Sequence, residues 1–217
     1  MKNFCLFFTL TLALWAINLF GAPTHAHHHT PDSAPTQSSE ILAAMHSPMH
    51  ANKPSKTKSV EIDFLSDMIP HHQGAVDSAK LLLQSVKSGK TATLAQNIIT
   101  AQEAEITQFK DLIENKKLTT TKISSKEYKS FNEKNAKVLA SMMHRMTIKE
   151  SGNVERDFLV AMIAHHQGAV EASGVVLEYT KDETVQTIAQ NIINTQQEEI
   201  ATMQKLIDAI DKKTKRK

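Results

Sequence analysis

The chain carries the stretch Asp63-Phe64-Leu65-Ser66-Asp67-Met68-Ile69-Pro70-His71-His72-Gln73-Gly74-Ala75-Val76 twice. The second copy, 94 residues later, reads Asp157-Phe158-Leu159-Val160-Ala161-Met162-Ile163-Ala164-His165-His166-Gln167-Gly168-Ala169-Val170. The alignment continues without a gap: Ala95-Gln96-Asn97-Ile98-Ile99 returns as Ala189-Gln190-Asn191-Ile192-Ile193. Further on, Gln102, Glu105, Ile106, Leu112 and Ile113 return as Gln196, Glu199, Ile200, Leu206 and Ile207. A duplicated unit constrains the fold strongly, because both copies must adopt one structure and each needs the other to cover its apolar face.

Each copy reads as a helical hairpin. In the first, Leu65, Ile69, His72, Val76, Ala79, Leu83 and Val86 recur at alternating steps of four and three, and Met68, Ala75 and Leu82 widen the seam to the face of a bundle helix. Ser88-Gly89-Lys90 makes the turn, and a second helix to about Lys116 turns Ala95, Ile98, Gln102, Glu105, Phe109 and Leu112 inward. The second copy repeats this with Leu159, Ile163, His166, Val170, Ser173 and Leu177, a turn at Lys181-Asp182-Glu183, then Ala189, Ile192, Gln196, Glu199, Met203 and Leu206. Strand signals are absent, so the pattern predicts an all-α four-helix bundle of two repeated hairpins. The expected division is a signal peptide at 1–26, a flexible His- and Met-bearing segment at 27–59 with a short helical turn from Glu40 to His50, hairpins at 60–117 and 154–211, a linker at 118–153 holding an extra helix from Ser125 to Thr147, and a basic tail at 212–217.

Lys2 followed by the uncharged apolar run Phe4 to Phe20 and small residues reads as an export signal, with cleavage after Ala26. The competing reading is an uncleaved anchor, since the run is at the short limit for a span. Export places the mature protein in the periplasm or outside the cell, with no stable membrane insertion. The one cysteine, Cys5, lies inside the signal, so no disulfide forms and a soft metal would have to use thioether and imidazole. With 25 Lys and Arg scattered against 23 Asp and Glu, the charge pattern argues against a nucleic-acid partner. The tail Lys212 to Lys217 reads as a helix end whose cations complement the helix dipole.

Antiparallel hairpin geometry brings His72 to the level of Glu105 and His166 to the level of Glu199, so His71, His72, His165, His166, the two Glu, Gln102, Gln196, Met68 and Met162 are expected in one interior layer. Buried polar groups without partners cost on the order of 1 to 3 kcal/mol each, so such a layer needs an explanation. Metal coordination is one, with the second ring nitrogen oriented by Glu or Gln. A His–Glu layer that fixes register without metal is the other. Adjacent His pairs, present twice, favour metal.

Methionine placement points the same way. Apart from Met1, the methionines Met45, Met49, Met68, Met142, Met143, Met146 and Met162 lie within four residues of a histidine, with Met203 as the exception. Thioether beside imidazole, without thiolate, suits copper, as Cu(I) or Cu(II). Met45, His46, Met49 and His50, and Met142, Met143, His144 and Met146, are expected as surface capture sites. A ferritin-type di-iron centre needs Glu-x-x-His pairs, which do not occur here, and zincin and phosphate-loop motifs are absent, so no catalytic residue is assigned.

Asp-Phe-x-x-x-Met-Ile-x-His-His-Gln-Gly-Ala followed by Ala-x-x-Ile-Ile-x-x-Gln-x-x-Glu-Ile resembles the exported bacterial family catalogued as domain of unknown function 305, over about residues 60 to 208. The resemblance implies a ferritin-like bundle of two similar hairpins and, from some relatives, copper binding or copper resistance. It also implies that the family's histidine pair is His71 with His72, and again His165 with His166, accompanied by Met68 and Met162. Met203 keeps a methionine common in the family after the Glu-Ile pair, where the first copy has Phe109; with Ala164 in place of Pro70, the halves are not equivalent. The function expected is therefore periplasmic copper sequestration or transfer, the alternatives being a metal-free structural or partner-binding bundle and a metal-dependent oxidoreductase.

Overall fold

A computed structural model describes residues 34–216, and the described residues form six α-helices and no strand. They are α1 (Gln37–Ala51), α2 (Val60–Ser85), α3 (Lys90–Glu114), α4 (Ser125–Met146), α5 (Val154–Leu177) and α6 (Glu183–Thr214). The expected signal, its cleavage position and His27 to His29 lie outside these residues.

The boundaries follow from local chemistry. Ser59, Asn153 and Asp182 each accept a hydrogen bond from a backbone N–H of the first turn of α2, α5 and α6, satisfying donors that a helix start leaves free. Ser124 and Glu127 bond each other's backbone in a capping box that starts α4. Between α2 and α3 the chain reverses through Gly89 at φ 98°, a conformation that costs glycine little. Helix α6 runs on to Thr214, so Lys212 and Lys213 form its last turn, where cations meet the negative end of the dipole.

Helices α2 and α5 pack directly on each other, with α3 against α2 and α6 against α5. The apolar interior has two parts. One joins Val76, Ala79 and Leu82 of α2 to Phe158, Leu159 and Met162 of α5. The other joins Val60, Phe64, Leu65 and Met68 of α2 to Val175 and Val176 of α5. The late half of α2 thus meets the early half of α5 and the reverse, so the two helices are antiparallel, with both histidine pairs between the apolar parts.

The hairpin repeat extends further than two helices each. Helix α1 packs on α2, and α4, the expected linker helix, packs on α5. Within segment 27–59, the short helical turn expected at Glu40 to His50 is a docked helix from Gln37 to Ala51. Ile41 and Met45 are buried, and Thr36 caps the helix by accepting from Ser39 N.

Close approach in both pairs depends on glycine. A Cβ on Gly74 would stand 2.2 Å from the Met45 carbonyl oxygen of α1, and one on Gly168 would stand 2.2 Å from Met142 Sδ of α4. The motif aspartates cross-brace the two repeats. Buried Asp63 of α2 accepts from Thr57 N and Oγ1, both at 2.7 Å, and from the Tyr128 hydroxyl of α4. Asp157 of α5 accepts from Ser151 N at 2.9 Å and from Ser38 Oγ of α1 at 2.8 Å. Each aspartate thus ties the loop before its own helix to the lead-in helix of the other repeat. Tyr128→Phe is expected to lower stability by about 1.5 kcal/mol, since it removes a hydroxyl donated to a carboxylate. An unchanged urea midpoint would show that the brace is idle.

Candidate metal centre

All four motif histidines are in the interior, His71 being 7 % exposed and His72, His165 and His166 fully buried. They form a row across the contact of α2 with α5. Ring centroids are 5.9 Å apart from His72 to His71, 3.7 Å from His71 to His165, and 6.1 Å from His165 to His166. The antiparallel packing derived above is what brings positions 71 and 165 face to face.

Hydrogen bonds assign the ring protons. His71 Nε2 is 3.2 Å from the His165 carbonyl oxygen, and His165 Nε2 is 3.0 Å from the His71 carbonyl oxygen. A carbonyl only accepts, so both Nε2 atoms carry the proton and donate. The neutral ring then has its lone pair on Nδ1. His166 Nε2 likewise donates to Glu199 Oε2 at 2.7 Å. His72 Nε2 is 2.8 Å from Glu105 Oε2 but lies off the line of a hydrogen bond. Nδ1 of every one of the four histidines is buried with no partner in the protein, as are both side-chain heteroatoms of Gln102 and the Oε1 of Gln196.

This is the arrangement in which imidazole serves a metal: one nitrogen donates to a carbonyl or carboxylate, which fixes the tautomer and raises basicity, and the other offers a lone pair. The donor chemistry fits copper. The donors do not surround a common point, however, because among the described residues no three His, Cys, Asp or Glu side chains are grouped to hold one ion.

Burial, then the neighbouring imidazoles His72 and His166, push the His71 pKa well below 6.5, against a raising effect of the His165 carbonyl. Burial, then His71, His166 and His72, do the same to His165. In the unfolded chain both rings return toward 6.5, so in the window below that value the unfolded state binds more protons and is favoured. Stability is complete above about pH 6.5 and falls as pH falls, by up to about 2.7 kcal/mol per unit for the two rings together. Denaturant midpoints at pH 7.5 and 5.5 check this; equal values would show that the rings are not held neutral.

The other expected ligands are distributed differently. Met68 and Met162 are buried beside the histidine row in sequence, and Met203 is buried on α6. Phe109, its counterpart on α3, has its ring 5.5 Å from that of His72, so the two half-layers differ as expected. Glu199 orients the His166 imidazole through a hydrogen bond, Glu105 stands beside that of His72, and both carboxylates are partly exposed. The surface capture sites need correction: Met45, Met142 and Met146 are core residues, because α1 and α4 turn their apolar stripe inward. Met49 and Met143 are half-buried against that core, and only His50 and His144 of these clusters are exposed. The His46 and His50 rings are 6.1 Å apart on α1; burial, then His50, lowers the His46 pKa. The reading of the motif gave no role to Asp63, Asp157, Gly74 or Gly168, although their exact recurrence marked them.

The family model described as domain of unknown function (DUF305) matches residues 12–113 and again residues 61–207. The chain belongs to the DUF305 family. Two overlapping matches of one model reflect the duplication. A solved structure, the crystal structure of a DUF305 fragment from Deinococcus radiodurans, is 25 % identical, with a TM-score of 0.52 over 72 % of this chain and 99 % of that one. The two share their overall fold over that length. No curated protein matches the chain. No helix among the described residues is long and apolar enough to cross a membrane.

Proposed function

We propose that this DUF305 protein is an exported copper-binding protein that sequesters the ion or hands it on, working in the periplasm. One observation carries the reading: four buried Nδ1 atoms lack partners while three of the four rings have their Nε2 proton committed to a carbonyl or carboxylate. Left empty, four such atoms cost several kcal/mol, at about 1 to 3 kcal/mol each, and a bound cation turns that cost into affinity. Copper is the metal of choice because the chain has no thiol outside its expected leader and places Met68 and Met162 three residues before His71 and His165. His71, His165, His166 and His72 are the candidate ligands through Nδ1, with those thioethers as soft donors; because the rings stand in a row and not around one point, binding requires them to be drawn together or to share the ions between them. Here copper is cargo, not a cofactor for a reaction.

Because burial holds His71 and His165 neutral below the usual imidazole range, acid release of the ion is expected below the pH at which an exposed histidine site lets go. Equilibrium dialysis against copper, with metal analysis and a thermal melt, tests the function. Retained copper and a raised melting temperature are expected, since a ligand of the native state must stabilise it. Absence of both would leave a metal-free bundle, the reading favoured by the lack of any preformed three-ligand cluster among the described residues.

A further inference from the structure

A cavity of about 460 Å³ opens between α2, α4 and the segment after α1, a volume typical of small-molecule sites. Its walls are Phe64 and Met68 of α2, Phe131, Leu139 and Met142 of α4, and Met49 of α1. Thioethers on three sides form a surface that adapts to flexible apolar chains. The mouth is polar and basic, with Lys53, Lys56 and Lys129 on its rim.

The carboxylates nearby do not cancel this charge. Glu133 Oε1 is 3.7 Å from Lys129 Nζ, so those two offset each other. Asp67 accepts from Ser55 N at 2.7 Å, and burial raises its pKa. Among the described residues neither Lys53 nor Lys56 has a carboxylate within salt-bridge distance, and both are exposed. At the matching positions of the second repeat stand Thr147 and Glu150, so the basic rim is an addition to one half of the duplicated plan.

We propose that this cavity binds a free single-chain amphiphilic anion of the medium-chain carboxylate class, its chain against Met49, Met68 and Met142 and its carboxylate between Lys53 and Lys56. The proposal does not require copper, although the cavity shares His71 and Met68 with the proposed copper site and an occupant would cover both.

Isothermal titration of the purified protein with dodecanoate below its micelle concentration, and in parallel with dodecyltrimethylammonium, tests the assignment. Dodecanoate is expected to bind and the cation not. Lys53→Glu with Lys56→Glu weakens dodecanoate at least about tenfold, the scale of two partly screened charges turned from attraction to repulsion. Ala172→Trp, which fills the cavity, abolishes binding, and Ala136→Trp at its exposed lip weakens it should the first variant not fold. Equal affinity for both amphiphiles, no heat with dodecanoate, or undiminished binding in the folded tryptophan variants would overturn the proposal. So would sedimentation with anionic lipid vesicles in the absence of dodecanoate uptake, which would make the lysines a membrane-docking patch.

Discussion

Gly74→Ala is expected to destabilise the protein by about 3 kcal/mol, and Gly168→Ala by less than about 1 kcal/mol, although the two positions are equivalent in the duplication. The added methyl at position 74 meets the Met45 carbonyl oxygen at 2.2 Å and its carbon at 3.2 Å, both atoms of helix backbone. Backbone cannot step aside without lifting α1 off α2, which would uncover Ile41 and Met45. At position 168 the methyl meets Sδ, Cγ and Cβ of Met142 at 2.2, 2.7 and 3.1 Å, all in a side chain with several rotatable bonds that can withdraw. Alanine also gains about 1 kcal/mol over glycine inside a helix, which offsets most of the cost at position 168 and little of it at position 74. Chemical denaturation of the two variants decides the matter. Hydrogen exchange adds a second reading, because Gly74→Ala should deprotect α1 first. Equal losses in both variants would mean that α1 docks no more tightly than α4.

The same pair of glycines shows what a sequence of this kind conceals. Repetition at a fixed interval and the alternation of apolar steps were enough to place α2, α3, α5 and α6 and to put His72 opposite Glu105 and His166 opposite Glu199, because a hairpin leaves little freedom in register. Periodicity says which face is buried but not how near a second backbone comes, so Gly74 looked like an ordinary motif residue. Polar composition showed no more than a short turn at α1, where Ile41, Met45 and Ser38 are enough to dock a full helix while Gln37, Ser47 and His50 are exposed. The methionines near histidines were visible as a cluster, but whether a thioether fills core or meets solvent depends on which way a lead-in helix is turned. Asp63 and Asp157 sit in first helical turns, where an acidic residue is unremarkable; their partners Tyr128 and Ser38 are 65 and 119 residues away, beyond what spacing conveys.

The imidazole row itself could be read from sequence only as a level in the bundle. The exchange of Nε2 protons with carbonyls across α2 and α5, and hence the bare Nδ1 atoms, depends on helix rotation and on the antiparallel crossing. A histidine pair that merely fixed register would be expected to satisfy both ring nitrogens, as buried polar layers generally do. Here three rings leave one nitrogen without a partner in the protein, and His72 leaves both.

Replacing His71 and His165 together by leucine is therefore expected to separate holding the fold from holding the ion. The two carbonyls that the rings serve belong to α2 and α5 and keep their own helical partners, so removing both donors orphans no acceptor. Two buried Nδ1 atoms disappear with their desolvation cost, and apolar surface of similar bulk replaces them, so stability at pH 7.5 should change by less than about 1.5 kcal/mol. Acid sensitivity should flatten between pH 7.5 and 5.5, because both groups that the fold holds neutral are gone. Copper affinity, in contrast, should drop by at least about a hundredfold, the order of a lost ligand pair. Unfolding of the double variant at neutral pH would assign the stacked rings a structural role that leucine cannot fill. A folded variant that keeps its copper would move the site away from the α2–α5 crossing, leaving His46 and His50 on α1 as the next place to look.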